Sequence, residues 1–389
     1  MRFRRCRTLF VEPVERPAFA LADLMAGGTG VTFEQRLQVR TAHLPSACEI
    51  DADSCAWLLA CSAEHWQPMP EDAACRRRVL ALLQQGLLVS DDPAHAKACA
   101  AEQRVRDSHW WPLSALHYQQ SCWDGVDSSA DMQRQQLVTA RDLVRSFGNP
   151  PPEAPPRQPG ALALPRCDDD PMQELLQARA TCRNFDATRA LPLPLLARLL
   201  QQVLMAQGQV ETDPDVRFLK KNVPSAGSLH PLEAYLMVRD VQGLAPGLYH
   251  YHAVAHELAP LPVQPDDPAG LRLRLLAGQH WFADAHVLLV LVCRFERTFW
   301  KYRNHAKAYR AVMLDAGHIS QAFYSAATAQ GLGAFVTAAI NEAEAARALA
   351  LQPMAEGALA VCGFGWRAAT MQTSEMDPAG RVWPARITP

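Results

Sequence analysis

Apolar and polar positions alternate differently along the two halves of the chain. In the distal half, His286 to Phe295 (HVLLVLVCRF) is an almost continuous apolar run, which predicts a central strand buried on both faces. Gly357 to Gly365 (GALAVCGFG) predicts a second buried strand, and Ala234 to Arg239 (AYLMVR) and Gly247 to His252 (GLYHYH) predict two more. Helical spacing separates them. Met172 to Arg179 reads as a helix start, and Pro192 to Gln207 carries leucines at three-to-four spacing. Ala308 to Gln330 predicts a long, mostly apolar helix, placed at the centre of the core or at a subunit interface.

Residues 2–12 and 35–42 have strand character. Asp51 to Ser62 opens on capping residues and predicts a helix, and so does Glu71 to Gln85, followed by Gly86, the short strand LLVS and Asp91-Asp92. Helix, helix, short strand and turn is the pattern of a winged-helix module. A small α/β domain without a binding role has the same pattern. A third helix is expected over Asp107 to Asp124, with Trp110, Trp111 and Trp123 as packing aromatics. From Asn149 to Arg166 the chain reads NPPPEAPPRQPGALALPR, whose prolines fix φ and lack amide donors. The expected division is an N-terminal α/β region at 1–148, a proline-rich linker at 149–166 and a second domain at 167–389.

Composition narrows the function classes. The 389 residues carry a formal net charge of −2, which predicts no general affinity for nucleic acid. The 11 cysteines are odd in number and none are at CxxC spacing, so zinc and thioredoxin-type chemistry lack support, and a reducing cytosol fits. The basic start, MRFRRCRTLFVEP, is not followed by an apolar run of signal-peptide length, and no run reaches the length of a membrane helix. A cytoplasmic protein is expected. His250, His252 and His256 are close together, yet no acid or cysteine completes a metal set. Neither G-x-G-x-x-G nor G-x-x-x-x-G-K-[ST] occurs, so a nucleotide-type cofactor has to be held in another way.

Two segments carry candidate chemistry. In Arg179-Ala180-Thr181-Cys182-Arg183-Asn184-Phe185, two guanidiniums and a hydroxyl at alternate positions share one face if the backbone is extended, which suits a phosphate monoester. A solvated helix end with arginines facing the macrodipole reads the same way. In Pro224-Ser225-Ala226-Gly227-Ser228-Leu229-His230-Pro231-Leu232-Glu233, small residues bracketed by prolines allow close approach of backbone to a flat ring. Asp315 and His318, one helical turn apart, are expected as a buried polar pair.

In this order the two segments resemble the FMN-binding pair of the nitroreductase superfamily. PGLYHYHAVAHELAPL (Pro246 to Leu261), Lys301-Tyr302, YRAVMLDAGHISQ (Tyr309 to Gln321), Gly331-Leu332-Gly333 and the strand ending Gly363-Phe364-Gly365 resemble its SagB-type dehydrogenases in particular. The resemblance covers roughly residues 170–367. It implies an α+β nitroreductase fold, with a mixed central sheet flanked by helices and a long core helix, behind the winged-helix-like region. It also implies FMN as cofactor and a homodimer. Arg179, Thr181 and Arg183 match the family's R-x-S-x-R phosphate site, with threonine for serine. Ser225, Ala226 and Gly227 match the loop against the flavin ring, and backbone near Gly331 and Gly333 is implied close to it. Arg367 stands where a further basic phosphate contact is often found, and His230 has no assigned role. Lys301 and Tyr302 match the pair that removes a proton from substrate.

The function implied is FMN-dependent dehydrogenation of a ribosomally made peptide, by azoline-to-azole oxidation or related Cα–Cβ desaturation. The N-terminal region would bind the precursor peptide or a partner cyclodehydratase. Two alternatives stand beside it: an NAD(P)H-dependent flavin reductase acting on dehydroamino acids, nitro compounds or quinones, and a non-catalytic scaffold of a peptide-modifying complex. The fold alone does not decide among them.

Overall fold

The computed structural model describes residues 1–154, 160 and 162–383, so part of the proline-rich stretch lies outside the described residues. The chain forms two compact units. The first comprises Met1–Cys122, Arg294–Arg310 and Gln352–Gly357, and the second Trp123–Cys293, Ala311–Leu351 and Ala358–Pro389. The division therefore falls at Cys122, ahead of the proline-rich stretch. Hydrogen bonds explain this. The Trp123 amide donates to the Glu342 carboxylate at 2.8 Å, the Asn341 side chain bonds both the amide and the carbonyl of Val126, and the Ser128 amide and hydroxyl both donate to the Ala277 carbonyl. These bonds tie the chain from Trp123 onward into the second unit.

In the first unit, Gln67–Pro68, Arg2–Arg5 and Leu88–Ser90 form a small antiparallel sheet. A second sheet is built on a long hairpin, Leu9–Phe19 with Val31–Thr41, extended by Cys48–Ile50. The helices Ala52–Ala60 and Ala73–Gln84 start where aspartates predict: the Asp51 side chain accepts the Ser54 amide, and the Asp72 side chain that of Cys75. Their apolar faces bury Leu58, Val79 and Leu82 against Phe3, Val39 and Leu88.

The third helix, expected over Asp107 to Asp124, is shorter, Pro112–Ser121, and a further helix, Ala96–Asp107, precedes it. His109 takes a left-handed φ of 54° and Pro112 opens the second helix, so a continuous helix cannot form through this point. The break aims Trp110 inward. Its ring centroid lies 4.5 Å from Phe295, 4.6 Å from Phe299, 5.5 Å from Tyr309 and 5.6 Å from Tyr118, and its indole donates to the Met354 carbonyl at 2.8 Å. This aromatic cluster holds the stretches Arg294–Arg310 and Gln352–Gly357 in the first unit.

The second unit is built on a six-stranded sheet in the order Glu257–Pro260, Gly247–His252, Leu232–Val238, Val287–Arg294, Glu356–Gly365, Gly333–Thr337. The strand Val287–Arg294 is buried from Val287 to Cys293, as its apolar run requires. It runs antiparallel to Leu232–Val238, and an isolated bridge from Thr181 to Ala334 is parallel, so the sheet is mixed. Phe335 stacks on Phe282 with centroids 3.8 Å apart on one side of the sheet. The long helix spans Ala308–Ala329, and its Phe323 packs edge-on to Phe364. The helix expected over Pro192 to Gln207 ends at Val203; Ala206–Asp213 and Val216–Lys221 then form a hairpin. Among the described residues, no helix is long and apolar enough to cross a membrane.

Candidate active site

The phosphate-type segment starts where the helix Pro171–Gln177 stops. The backbone becomes extended because Thr181 bridges to Ala334, the Cys182 amide donates to the Ala334 carbonyl at 2.8 Å, and Phe185 bridges to Arg367. Side chains then alternate. Ala180, Cys182 and Asn184 point into the unit and are buried, while Arg179, Thr181 and Arg183 line the wall of one cavity of about 540 Å³. Its opposite wall includes Met376, Asp377 and Pro378. Among the described residues, neither Arg179 nor Arg183 has a carboxylate within ion-pair distance. Their guanidiniums lie over the rings of Tyr324 and Phe282, at 5.3 and 6.0 Å. Asp377 is occupied otherwise, accepting the amides of Arg381, Val382 and Trp383.

Tyr324 escaped the sequence reading. It stands on the long helix, with its hydroxyl 3.1 Å from Thr181 Oγ1 and accepting the Val336 amide at 3.1 Å. It thereby fixes the threonine between the two arginines. Glu375 escaped it as well. Its side chain is fully buried and accepts from the amides of Arg183 and Asn184, the Asn184 side-chain amide and the Trp383 indole, and it pairs with Arg367. Arg367 also donates to the Ala180 carbonyl. Its guanidinium thus helps hold the arginine segment in place, and Arg367 is not among the residues that line this cavity. No spacing in the sequence signals a carboxylate that reaches back across so many residues to cap backbone amides.

The Ser225 loop is held by the long helix. The Ser225 hydroxyl and the Ala226 amide both donate to the Asp315 carboxylate, and the His230 amide donates to Ser225 Oγ at 2.9 Å. Gly227, Ser228 and His230 all have positive φ, so the turn is tight and depends on these anchors. The expected pairing of Asp315 with His318 is the weaker contact: His318 Nδ1 lies 3.9 Å away on a side chain 42% exposed. The two glycines have local reasons of their own. Gly331 has φ of 69° and closes the long helix, with the Leu332 amide returning to the Ala327 carbonyl. At Gly333 a Cβ would meet Cys182 Sγ at 2.5 Å, so only glycine lets the arginine segment lie against this strand.

Lys301 and Tyr302 end the short helix Phe295–Lys301, with the lysine Nζ 5.6 Å from the tyrosine ring centroid. They belong to the first compact unit, whereas the arginine cavity and the Ser225 loop belong to the second. The three histidines go to separate partners: His250 Nε2 lies 3.4 Å from Glu233, His252 accepts the Ala255 amide, and His256 bonds the Tyr251 hydroxyl at 2.7 Å. Among the described residues, no group of three or more His, Cys, Asp or Glu could hold a metal ion. Lys221 is another ionisable residue the sequence did not flag; burial pushes its ammonium down to about 8, with Glu233 opposing.

Comparison with known proteins gives this geometry a family. The profile of the nitroreductase family matches residues 176–366, which take in the arginine segment, the Ser225 loop and the sheet. A protein of Methanocaldococcus jannaschii that bears the nitroreductase name is 31% identical over 184 residues, 47% of this chain and 86% of the relative. The trifolitoxin-processing protein of Rhizobium leguminosarum bv. trifolii is 30% identical over 176 residues, 43% of this chain; the match spans 46% of that relative, about half its length. A chain of the E. coli microcin synthetase complex, solved with truncated pro-MccB17 bound, shares the fold at a TM-score of 0.50 and 20% identity, covering 67% of this chain and 96% of that one. The chain belongs to the nitroreductase family of oxidoreductases.

Proposed function

We propose that the protein is an FMN-dependent dehydrogenase of the SagB type that oxidises a ribosomally synthesised peptide, by azoline-to-azole oxidation or a related Cα–Cβ desaturation. One observation carries the cofactor: two guanidiniums, without carboxylate partners among the described residues, flank a hydroxyl on a single cavity wall. A phosphate monoester is a dianion that takes charge-assisted forks and a hydroxyl donor, so Arg179, Thr181 and Arg183 fit the phosphate end of FMN. A non-catalytic scaffold would have no need to keep this set. The name of the Rhizobium relative supports a processing role.

Forming the new double bond removes a proton from Cα and a hydride from Cβ of the substrate. FMN, where bound, would supply the hydride acceptor, with oxygen as the final oxidant. Lys301 or Tyr302 takes the Cα proton. The Ser225 loop, pinned by Asp315, and the backbone at Gly331–Gly333 form the floor for the flavin ring. The N-terminal region binds the precursor peptide or a partner cyclodehydratase, and the protein works in the cytoplasm as a homodimer.

A second reading is reduction of nitro compounds, quinones or dehydroamino acids by NAD(P)H, which the name of the archaeal relative favours. Two measurements separate them. FMN-loaded protein mixed with a thiazoline-bearing peptide in air should produce the thiazole, seen by mass spectrometry as loss of two hydrogens. Rapid bleaching of the flavin by NADPH, with no peptide oxidised, would instead establish the reductase.

A further inference from the structure

The stretch Arg294–Arg310 has two sides. One packs into the first unit: Phe295, Phe299 and Tyr309 are buried in the ring cluster around Trp110, and Thr298 and Ala308 are buried as well. The other carries charge. Arg294, Arg297, Lys301, Arg303, Lys307 and Arg310 stand with Glu296 as the only acid of the stretch, in a chain whose formal net charge is −2. Helical spacing separates the two sides. With residues 295, 298 and 299 turned inward, Trp300 and Lys301 end the helix Phe295–Lys301 on the exposed side.

Lys301, Arg303, Lys307 and Arg310 are exposed, and among the described residues none of them has a carboxylate within ion-pair distance. Other exposed arginines of the unit are matched by neighbours: Arg2 by Asp91, Arg36 by Glu34 and Glu49, Arg40 by Glu12. The unmatched cations stand on ordered backbone. The Tyr302 amide donates to the Thr298 carbonyl, the Asn304 amide to the His109 carbonyl and the Ala308 amide to the His305 carbonyl, each at 3.0 Å. Positive charge is therefore held in place ahead of any partner, which lowers the cost of ordering it on binding.

From this arrangement we infer that the exposed side of Arg294–Arg310 is a docking surface for an acidic polypeptide segment, one that carries several Asp or Glu residues and passes beside Lys301 and Tyr302. Charge decides the class of partner. Single exposed ion pairs contribute little, so recognition comes from several carboxylates at once. A phosphate group takes donors gathered on one cavity wall, as Arg179, Thr181 and Arg183 are. Cations spread over a helix end, a loop and the start of the long helix suit carboxylates spaced along an extended chain. A longer polyanion such as nucleic acid is disfavoured by the negative charge of the chain as a whole. The partner's acidity follows from the charges alone; its identity with the peptide oxidised at Lys301 and Tyr302 rests on the reading above.

The test titrates the full-length, FMN-loaded protein with a dye-labelled peptide of alternating glutamate and glycine, read by fluorescence anisotropy. The same peptide with glutamine for glutamate is the comparison. The glutamate peptide should bind and the glutamine peptide should not. Affinity should fall by about tenfold or more as salt rises from low to physiological strength, where the Debye length is about 8 Å. Lys307→Glu combined with Arg310→Glu should weaken binding by about tenfold or more while flavin content, helicity and melting temperature stay unchanged. Arg76→Glu combined with Arg77→Glu makes the same change of net charge on the exposed side of the helix Ala73–Gln84 and should bind as wild type does. Equal binding of the two peptides by the wild type, or wild-type affinity in the Lys307 and Arg310 variant, would overturn the inference. So would tighter binding of single-stranded DNA or NADPH that is lost in the same variant, since the occupant would then be a phosphate ligand. A protein that binds the glutamate peptide but oxidises no azoline-bearing peptide sinks the proposed reaction and leaves the docking surface standing. One that oxidises such peptides and ignores the glutamate peptide does the reverse.

Discussion

Asp315 on the long helix and Ser225 in the turn before the strand Leu232–Val238 are joined by a hydrogen bond, and the Ala226 amide adds a second bond to the same carboxylate. Asp315 is only 5% exposed. Burial pushes its carboxyl above the ordinary range, and the bonds from Ser225 and Ala226 offset this only in part. A folded-state pKa above the unfolded one stabilises the fold most below the ordinary carboxylate pKa, and that contribution is lost as pH rises through the folded value. The stability of the wild type relative to Asp315→Asn should therefore fall from acid toward neutral pH, as read by urea unfolding at several pH values. A difference that grows toward neutrality would show that Asp315 is stabilised as the anion. Ser225→Ala, which strips a donor from the buried carboxylate, should cost about 1–3 kcal/mol.

Arg183 and Arg367 both contact the Glu375 network, yet their substitutions should separate. Only the Arg183 backbone amide bonds Glu375, and its guanidinium faces the cavity. Arg183→Ala should weaken FMN binding by about 1.5–3 kcal/mol and leave the melting temperature nearly unchanged, with Arg179→Ala behaving similarly. Arg367→Ala should do the opposite, because it leaves a fully buried carboxylate without its cation. Breaking such a pair costs about 3–5 kcal/mol of stability. Flavin titration and thermal melts on the same samples check both. Equal FMN affinity in Arg183→Ala and wild type would remove the phosphate assignment.

Trp110 bears on the first unit. It is 3% exposed and central to the cluster with Phe295, Phe299, Tyr118 and Tyr309. Trp110→Ala should cost about 3–5 kcal/mol, the usual range for emptying a buried aromatic site. Trp110→Phe fills most of the volume but leaves the Met354 carbonyl without its donor, so it should cost about 1–3 kcal/mol. Chemical denaturation gives both values. A loss below about 1 kcal/mol in the alanine variant would mean that the cluster contributes little.

Continuous apolar runs made the sheet legible. His286 to Phe295 and Gly357 to Gly365 read as buried strands because two covered faces demand apolar residues at every position, and both are strands in the sheet. Alternation likewise placed Arg179, Thr181 and Arg183 on one face, and the bridge to Ala334 supplies the extended backbone that the reading assumed. What stayed hidden depends on distant partners. Glu375 caps amides at Arg183 and Asn184, and Tyr324 reaches Thr181 from the long helix, at separations that no local period encodes. The helix expected from Asp107 starts later because His109 takes a positive φ and Pro112 is suited to the first helical position. The proline-rich stretch drew the expected boundary. Hydrogen bonds from Trp123, Val126 and Ser128 tie the chain ahead of that stretch into the second compact unit.

The long helix leaves Leu314 59% and Met313 42% exposed, although apolar residues dominate its sequence. The proposed homodimer would cover them. Wild-type protein should run as a dimer by light scattering, and Leu314→Arg should shift it toward monomer at low micromolar concentration by placing a charge in a dry contact. A wild-type monomer that binds FMN would contradict the assembly.

Lys301 and Tyr302 test the chemistry itself. If they take the Cα proton, they act on substrate and not on cofactor, so their loss should spare everything measured without substrate. Lys301 is exposed and Tyr302 half-buried at a helix end, so neither is needed to fill the core. Lys301→Ala and Tyr302→Phe should keep the flavin spectrum, the melting temperature and the rate of reduction by dithionite. Peptide oxidation should fall by at least about 100-fold in each, the usual worth of a positioned general base. A structural role predicts another pattern, with flavin and stability lost together or no change at all. If both variants oxidise peptide at the wild-type rate, the proton is taken elsewhere and reduction of substrate becomes the better reading of this flavin site.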